Sequence, residues 1–112
     1  MQIQVNTDNQ IPADESLTRR VRQIAEAELA RFVDRLTRLE VHIGDENSRL
    51  KTGGDDKRCS IEARAAGLKP VSATHRAPTV ELAVSGATEK LAAALDRRIG
   101  RLSEPRNRTL NP

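Results

Sequence analysis

The sequence predicts an α+β domain of order β-α-β-β-β-α, in which a four-stranded mixed sheet carries two helices packed on one face. Three observations predict it. Four short segments alternate apolar and polar residues, two longer ones repeat apolar residues at helical spacing, and turn-forming residues separate them. The strand segments alternate and never run continuously apolar, so each has one face to bury and one to leave to solvent or ligand. At 112 residues the chain has room for one such core and no second.

Taken in order, Ile3 and Val5 alternate with Gln2, Gln4 and Asn6 as a half-buried strand requires. Asn9 to Pro12 reads as a loop, and Asp14 as a helix cap. Leu17, Val21, Ile24, Ala25, Glu28 and Phe32 then follow at helical spacing, predicting a helix from about Asp14 to Val33. Its other face carries Arg19, Arg20, Arg22, Glu26 and Arg31. Leu39, Val41 and Ile43 alternate with Arg38, Glu40 and His42 in a second strand that ends by Gly44. Asp45 to Asp56 is polar, contains Gly53-Gly54-Asp55, and reads as a long turn.

Cys59, Ile61, Ala63 and Ala65 alternate with Arg58, Ser60, Glu62 and Arg64 in a third strand. After the turn Gly67-Leu68-Lys69-Pro70, Val71, Ala73 and His75 alternate with Ser72, Thr74 and Arg76 in a fourth. Pro78 and Thr79 supply a stop and a cap. Val80, Val84, Ala87, Leu91, Leu95 and Leu102 mark a second helix, from about Val80 to Leu102. Gly86 either weakens that helix, by about 1 kcal/mol relative to Ala, or lets it pass close to the sheet. Lys90, Arg97, Arg98 and Arg101 lie on its exposed side. Pro105 ends the helix, so residues 1–103 form the domain and 104–112 a flexible tail.

Composition narrows the function. Fifteen Arg and four Lys face 16 Asp and Glu, a formal net charge of +3. The excess is uneven: residues 1–50 carry a net −2 and residues 51–112 a net +5. Arg dominates, and its planar fork of donors suits phosphate. Phe32 is the only aromatic residue, so aromatic stacking of unpaired bases is not available. With no export signal and no apolar run long enough to span a bilayer, a cytoplasmic protein without membrane contact is expected.

No catalytic constellation emerges, and neither an enzyme nor a cofactor is expected. Cys59 is the sole cysteine and shares the register of Ile61, which reads as a buried filler. His42 falls on the polar face of its strand. His75 falls in the inward register and reads as a partly buried histidine. Asp55-Asp56 beside Lys57 reads as a solvent-facing charged turn with no further ligand for a metal. Gly53-Gly54 lacks the following Lys-Ser/Thr of a phosphate-binding loop.

The element order, with Met1-Gln2-Ile3, the run from Ala63 to His75, and Glu89-Lys90-Leu91 followed by Leu95-Asp96-Arg97-Arg98, resembles the ribosome hibernation-promoting factor and ribosome-associated inhibitor family in its short form. The resemblance covers about residues 1–103. It implies binding to the small ribosomal subunit through ribosomal RNA, with steric modulation or inhibition of translation in stress or stationary phase. It also implies RNA contacts from Arg20 and Arg22 on the first helix, Arg58 and Arg64 on the third strand, and Lys90, Arg97, Arg98 and Arg101 on the second helix. Relatives often carry an aromatic residue early in the second helix, where this chain has Glu81. The expected surface is one contiguous cationic face made by both helices and adjacent strand ends. DNA is not an expected partner, and a homo-oligomer is possible without being indicated. Two alternatives stand beside this reading: a general double-stranded RNA-binding module, and a protein-interaction or regulatory module that no longer binds ribosomes.

Overall fold

A computed structural model describes residues 1–8, 11, 14–46 and 56–103, with side chains to residue 100. The predicted turn at Gly53-Gly54-Asp55, the side chain of Arg101 and the tail 104–112 lie outside the described residues. The elements are β1 (Gln2–Thr7), α1 (Glu15–Glu28), a 3-10 turn (Ala30–Phe32), β2 (Leu36–Asp45), β3 (Lys57–Ala65), β4 (Val71–Ala77) and α2 (Val80–Ser103). The strands lie in the order β1-β2-β3-β4, with β1 parallel to β2 and the other neighbours antiparallel. This is the predicted α+β fold.

The connectivity fixes the direction of every element. The crossover from β1 to its parallel neighbour β2 sends α1 back against the strands, and α2 returns likewise after β4. The helices therefore run parallel to each other, and ion pairs at both ends record it: Arg20 with Glu81 near their starts, Arg31 with Asp96 further along. The molecule thus has two ends. Both helices begin at one, beside Asp45, Lys57 and Ala77; at the other β2 and β4 begin and β3 ends.

Period-two alternation builds the core. Leu39, Val41 and Ile43 of β2, with Cys59, Ile61 and Ala63 of β3, are buried on the helix-covered face. Val21, Ala25 and Leu29 meet them from the first helical segment, and Ala83, Val84, Ala87, Leu91 and Leu95 from α2. Thr88 is buried among these and satisfies its hydroxyl by donating to the Val84 carbonyl one turn back. Caps fix both helix starts. The Asp14 carboxylate accepts from Leu17 N at 2.7 Å, and Thr79 Oγ1 from Leu82 N at 3.2 Å. Between β3 and β4 the turn needs a left-handed residue, and Gly67 supplies it at φ 80°.

Three details differ from the sequence reading. The first helix stops at Glu28, not Val33, and the chain tightens into i→i+3 bonds from Phe32 N to Leu29 O and from Val33 N to Ala30 O. Leu29 and Phe32 stay buried through that change, so the apolar spacing outlasts the α-helical backbone. β2 starts two residues earlier than expected, because Thr37 forms a bulge: Leu36 faces Ala65, whereas Arg38 already faces Arg64. The extra residue resets the alternation and lets Leu36 and Leu39 share the core face. Asp56, expected to face solvent, is 9% exposed. Its carboxylate lies 3.4 Å from Lys57 Nζ, and its carbonyl accepts from Glu46 N at 2.7 Å.

Candidate nucleic-acid interface

The sheet face opposite the helices is polar, and register orders it in rows. Gln2, Arg38 and Arg64 form one row, then Gln4, Glu40, Glu62 and Ser72, then Asn6, His42, Ser60 and Thr74, and last Gly44, Arg58 and Arg76. Carboxylates one row away hold two arginines, Arg38 to Glu40 at 3.4 Å and Arg64 to Glu62 at 3.1 Å. Arg76 pairs with Glu46 at 2.5 Å, which raises the pKa of its guanidinium further. His42 is exposed, as expected from its register, and lies 3.8 Å from Glu40.

Of the eight residues singled out in the sequence, the seven whose side chains are described do not form one face. Arg20 and Arg22 lie on α1, across the sheet from Arg58 and Arg64. Arg20 is compensated by Glu81 of α2 at 2.5 Å. That hydrogen bond, assisted by Glu81's own backbone N–H, holds the Glu81 carboxyl below the usual carboxylate range. Lys90 reaches the free edge of β4 and donates to Thr74 O at 3.2 Å. Arg97 and Arg98 stand on the last turns of α2, and Arg101 follows them along the helix. About 17 residues of helix separate Glu81 from Arg98, roughly 25 Å at 1.5 Å per residue. A single contiguous surface over both helices is therefore not what the chain builds: α2 is too long, and its first turn is acidic.

Charge separates along the strand axis instead. At the end where the helices begin, among the described residues, Arg19, Arg20, Arg22, Lys57, Arg58 and Arg76 are outnumbered by Asp8, Asp14, Glu15, Asp45, Glu46, Asp56 and Glu81. Several of these are locked together. Lys57 Nζ lies 3.1 Å from Asp45, a hydrogen bond that raises the lysine pKa, and Asp45 N donates to Asp8 Oδ2 at 3.0 Å. A cleft of about 500 Å³ opens here, lined by Asp14, Arg20, Asp45, Lys57 and Glu81 among others, three carboxylates against two cations, so its walls carry no basic excess.

At the opposite end, among the described residues, Arg31, Arg35, Arg38, Arg64, Lys69, Arg97 and Arg98 outnumber Glu26, Glu28, Asp34 and Asp96, and still do, by one, when Glu40 and Glu62 are added. The helix C-terminus there favours cations as well. Arg31 stacks over the Phe32 ring at 4.6 Å and bonds Asp96 at 2.5 Å. Sequence reasoning missed Arg31, Arg35, Arg38 and Lys69 as members of this cluster. Arg31, Arg35 and Arg38 follow one another at the entry to β2, and the topology brings them to the same end as Lys69, Arg97 and Arg98.

Neither histidine nor the cysteine joins a reactive group. Burial pushes the Cys59 thiol up to about 12 against the opposing charge of Arg58. Among the described residues no group of three or more His, Cys, Asp or Glu side chains is placed to hold a metal ion, and no helix is long and apolar enough to cross a membrane.

Comparison with known proteins adds to this geometry. The family model described as sigma 54 modulation protein / S30EA ribosomal protein matches residues 3–103. No curated protein matches the chain. Among solved structures, the N-terminal domain of Protein Y from Thermus thermophilus superposes with a TM-score of 0.67 at 17% identity, over 88% of this chain and 99% of that one. A ribosomal subunit interface protein from Coxiella burnetii gives 0.65 at 17% identity, over 89% and 99%. At these identities the likeness is one of fold.

Proposed function

The chain belongs to the sigma 54 modulation protein / S30EA ribosomal protein family, and from that premise we propose that it binds the small ribosomal subunit through ribosomal RNA and sterically modulates translation. Family membership supports association with the ribosome in general. The observation that carries the finer reading is the charge separation: among the described residues, one end of the molecule holds an arginine-rich excess and the other does not.

The proposed contact surface is therefore the pole formed by Arg97 and Arg98 at the end of α2, with Arg31, Arg35, Arg38, Arg64 and Lys69 around them. Arg101 extends it along the helix. Arg20, Arg22, Arg58 and Lys90 take a secondary part, since acidic neighbours or the opposite end of the sheet offset them. Guanidinium groups on rigid helix and strand ends bind phosphates by charge and shape, and they position the protein without reading bases. No bond is made or broken in this mode of action; occupancy of the RNA site is the whole effect.

The test is co-sedimentation with purified small subunits across a salt series. Each phosphate contact releases condensed counterions, so log K should fall linearly with log salt concentration. Absence of binding, or binding indifferent to salt, contradicts the proposal.

A further inference from the structure

The two edges of the sheet are treated differently. On β4, Lys90 caps the Thr74 carbonyl and Arg76 places a charge on the strand, devices that discourage another strand from pairing. β1 has neither. From Gln2 to Thr7 it carries no charge, proline or bulge, it pairs on one side only, and among the described residues nothing hydrogen-bonds its outer edge. Alternate residues of this six-residue strand turn their backbone donors and acceptors away from β2, a template for another strand.

The side chains indicate which strand. A two-fold axis perpendicular to the sheet keeps the helix-covered faces of both partners on the same side. Antiparallel pairing must then match residues of equal parity, because side chains alternate with period two. Centring the axis on Gln4 sets Gln4 opposite Gln4 of the second copy, Gln2 opposite Asn6, and Ile3 opposite Val5. Amides meet amides on the open face, and aliphatic groups meet on the helix face, where Val5 is only half-buried in the single chain. The directly opposed residues carry no charge, and the one cation near the axis is Arg38 of each copy, which donates to Gln4 of its own chain. We infer that a second copy of this chain pairs with β1 in this register, joining the two sheets into one of eight strands. The inference stands on the strand edge alone and does not depend on the ribosomal reading.

A single strand edge is a small interface, so the dimer is weak and reversible. Sedimentation velocity over a concentration series tests it. The wild-type chain should pass from monomer to dimer as concentration rises, while Gln4→Lys and Gln4→Glu, each facing its own charge across the axis, should weaken association about tenfold or more. Mixing the two variants should restore it, because Lys then faces Glu. Circular dichroism checks folding of each variant, and backbone amide shifts of Gln2–Thr7 in the wild type should move with concentration while those of β4 stay fixed. A wild-type chain that is monomeric throughout, a dimer that survives both substitutions, or a mixture that fails to re-associate overturns the inference.

Discussion

The ring of His75 on β4 occupies the space into which a side chain at Gly86 of α2 would grow. A Cβ built at position 86 overlaps the imidazole, so with the His75 ring in this position only glycine fits there. Gly86→Ala would gain about 1 kcal/mol of helix propensity. It would lose more, about 1–3 kcal/mol, by forcing ring and helix apart. The net outcome is a lower urea midpoint, and adding His75→Ala should remove most of the loss. A double-mutant cycle measures that coupling.

This contact shows how far the sequence reaches. Glycine within a helical pattern left two readings open, a local weakening or a close approach, and His75 fell in the inward register, but nothing in the chain paired the two. Elements were legible wherever one rule governed them: alternation for β3 and β4, apolar spacing and caps for the helices. The early start of β2 was not, because the bulge at Thr37 breaks the alternation that would reveal it. Asp56 was misjudged for a related reason. Its burial depends on Lys57 and Glu46, and a charged turn looks solvated until the strand ends meet. The basic pole was the least legible feature, since the arginines at the entry to β2, Lys69 after β3 and Arg97 of α2 meet only through topology.

The Arg20–Glu81 pair links the helix starts, and its pH dependence has a definite sign. The Glu81 carboxyl is held below its ordinary value in the folded chain, mainly by Arg20. Its contribution to stability is therefore present above the unfolded pKa and lost as pH falls through the folded one. Both partners are substantially exposed, so the contribution is at most about 1 kcal/mol. Glu81→Gln should lower stability near pH 7, leave it unchanged in strong acid, and flatten the acid limb of a stability–pH profile measured by urea unfolding.

Cys59 should be chemically silent in the folded protein. With its pKa pushed up to about 12 by burial, almost no thiolate exists at pH 8, and no side of the residue is open to solvent. Labelling with a disulfide reagent should proceed only as the chain opens, with a rate that climbs with urea in step with global unfolding. Fast labelling in native buffer would show that β3 is not packed as described.

The cap at Asp14 and the core at Ile61 offer graded stability tests. Asp14→Ala removes the acceptor of Leu17 N and should cost about 0.5–2 kcal/mol. Ile61→Ala empties a fully buried position in a central strand and should cost about 2–5 kcal/mol. Chemical denaturation gives both, and the order of the two effects matters more than either value.

The central claim is that one end of the molecule, and not the helix starts, meets ribosomal RNA. The most direct measurement compares two charge-reversed proteins for binding to small ribosomal subunits at one moderate salt concentration. Arg97→Glu with Arg98→Glu should abolish or severely weaken co-sedimentation, whereas Arg20→Glu with Arg22→Glu should leave most of it. Equal binding by wild type and the Arg97/Arg98 variant, or a greater loss from the Arg20/Arg22 variant, would contradict the claim.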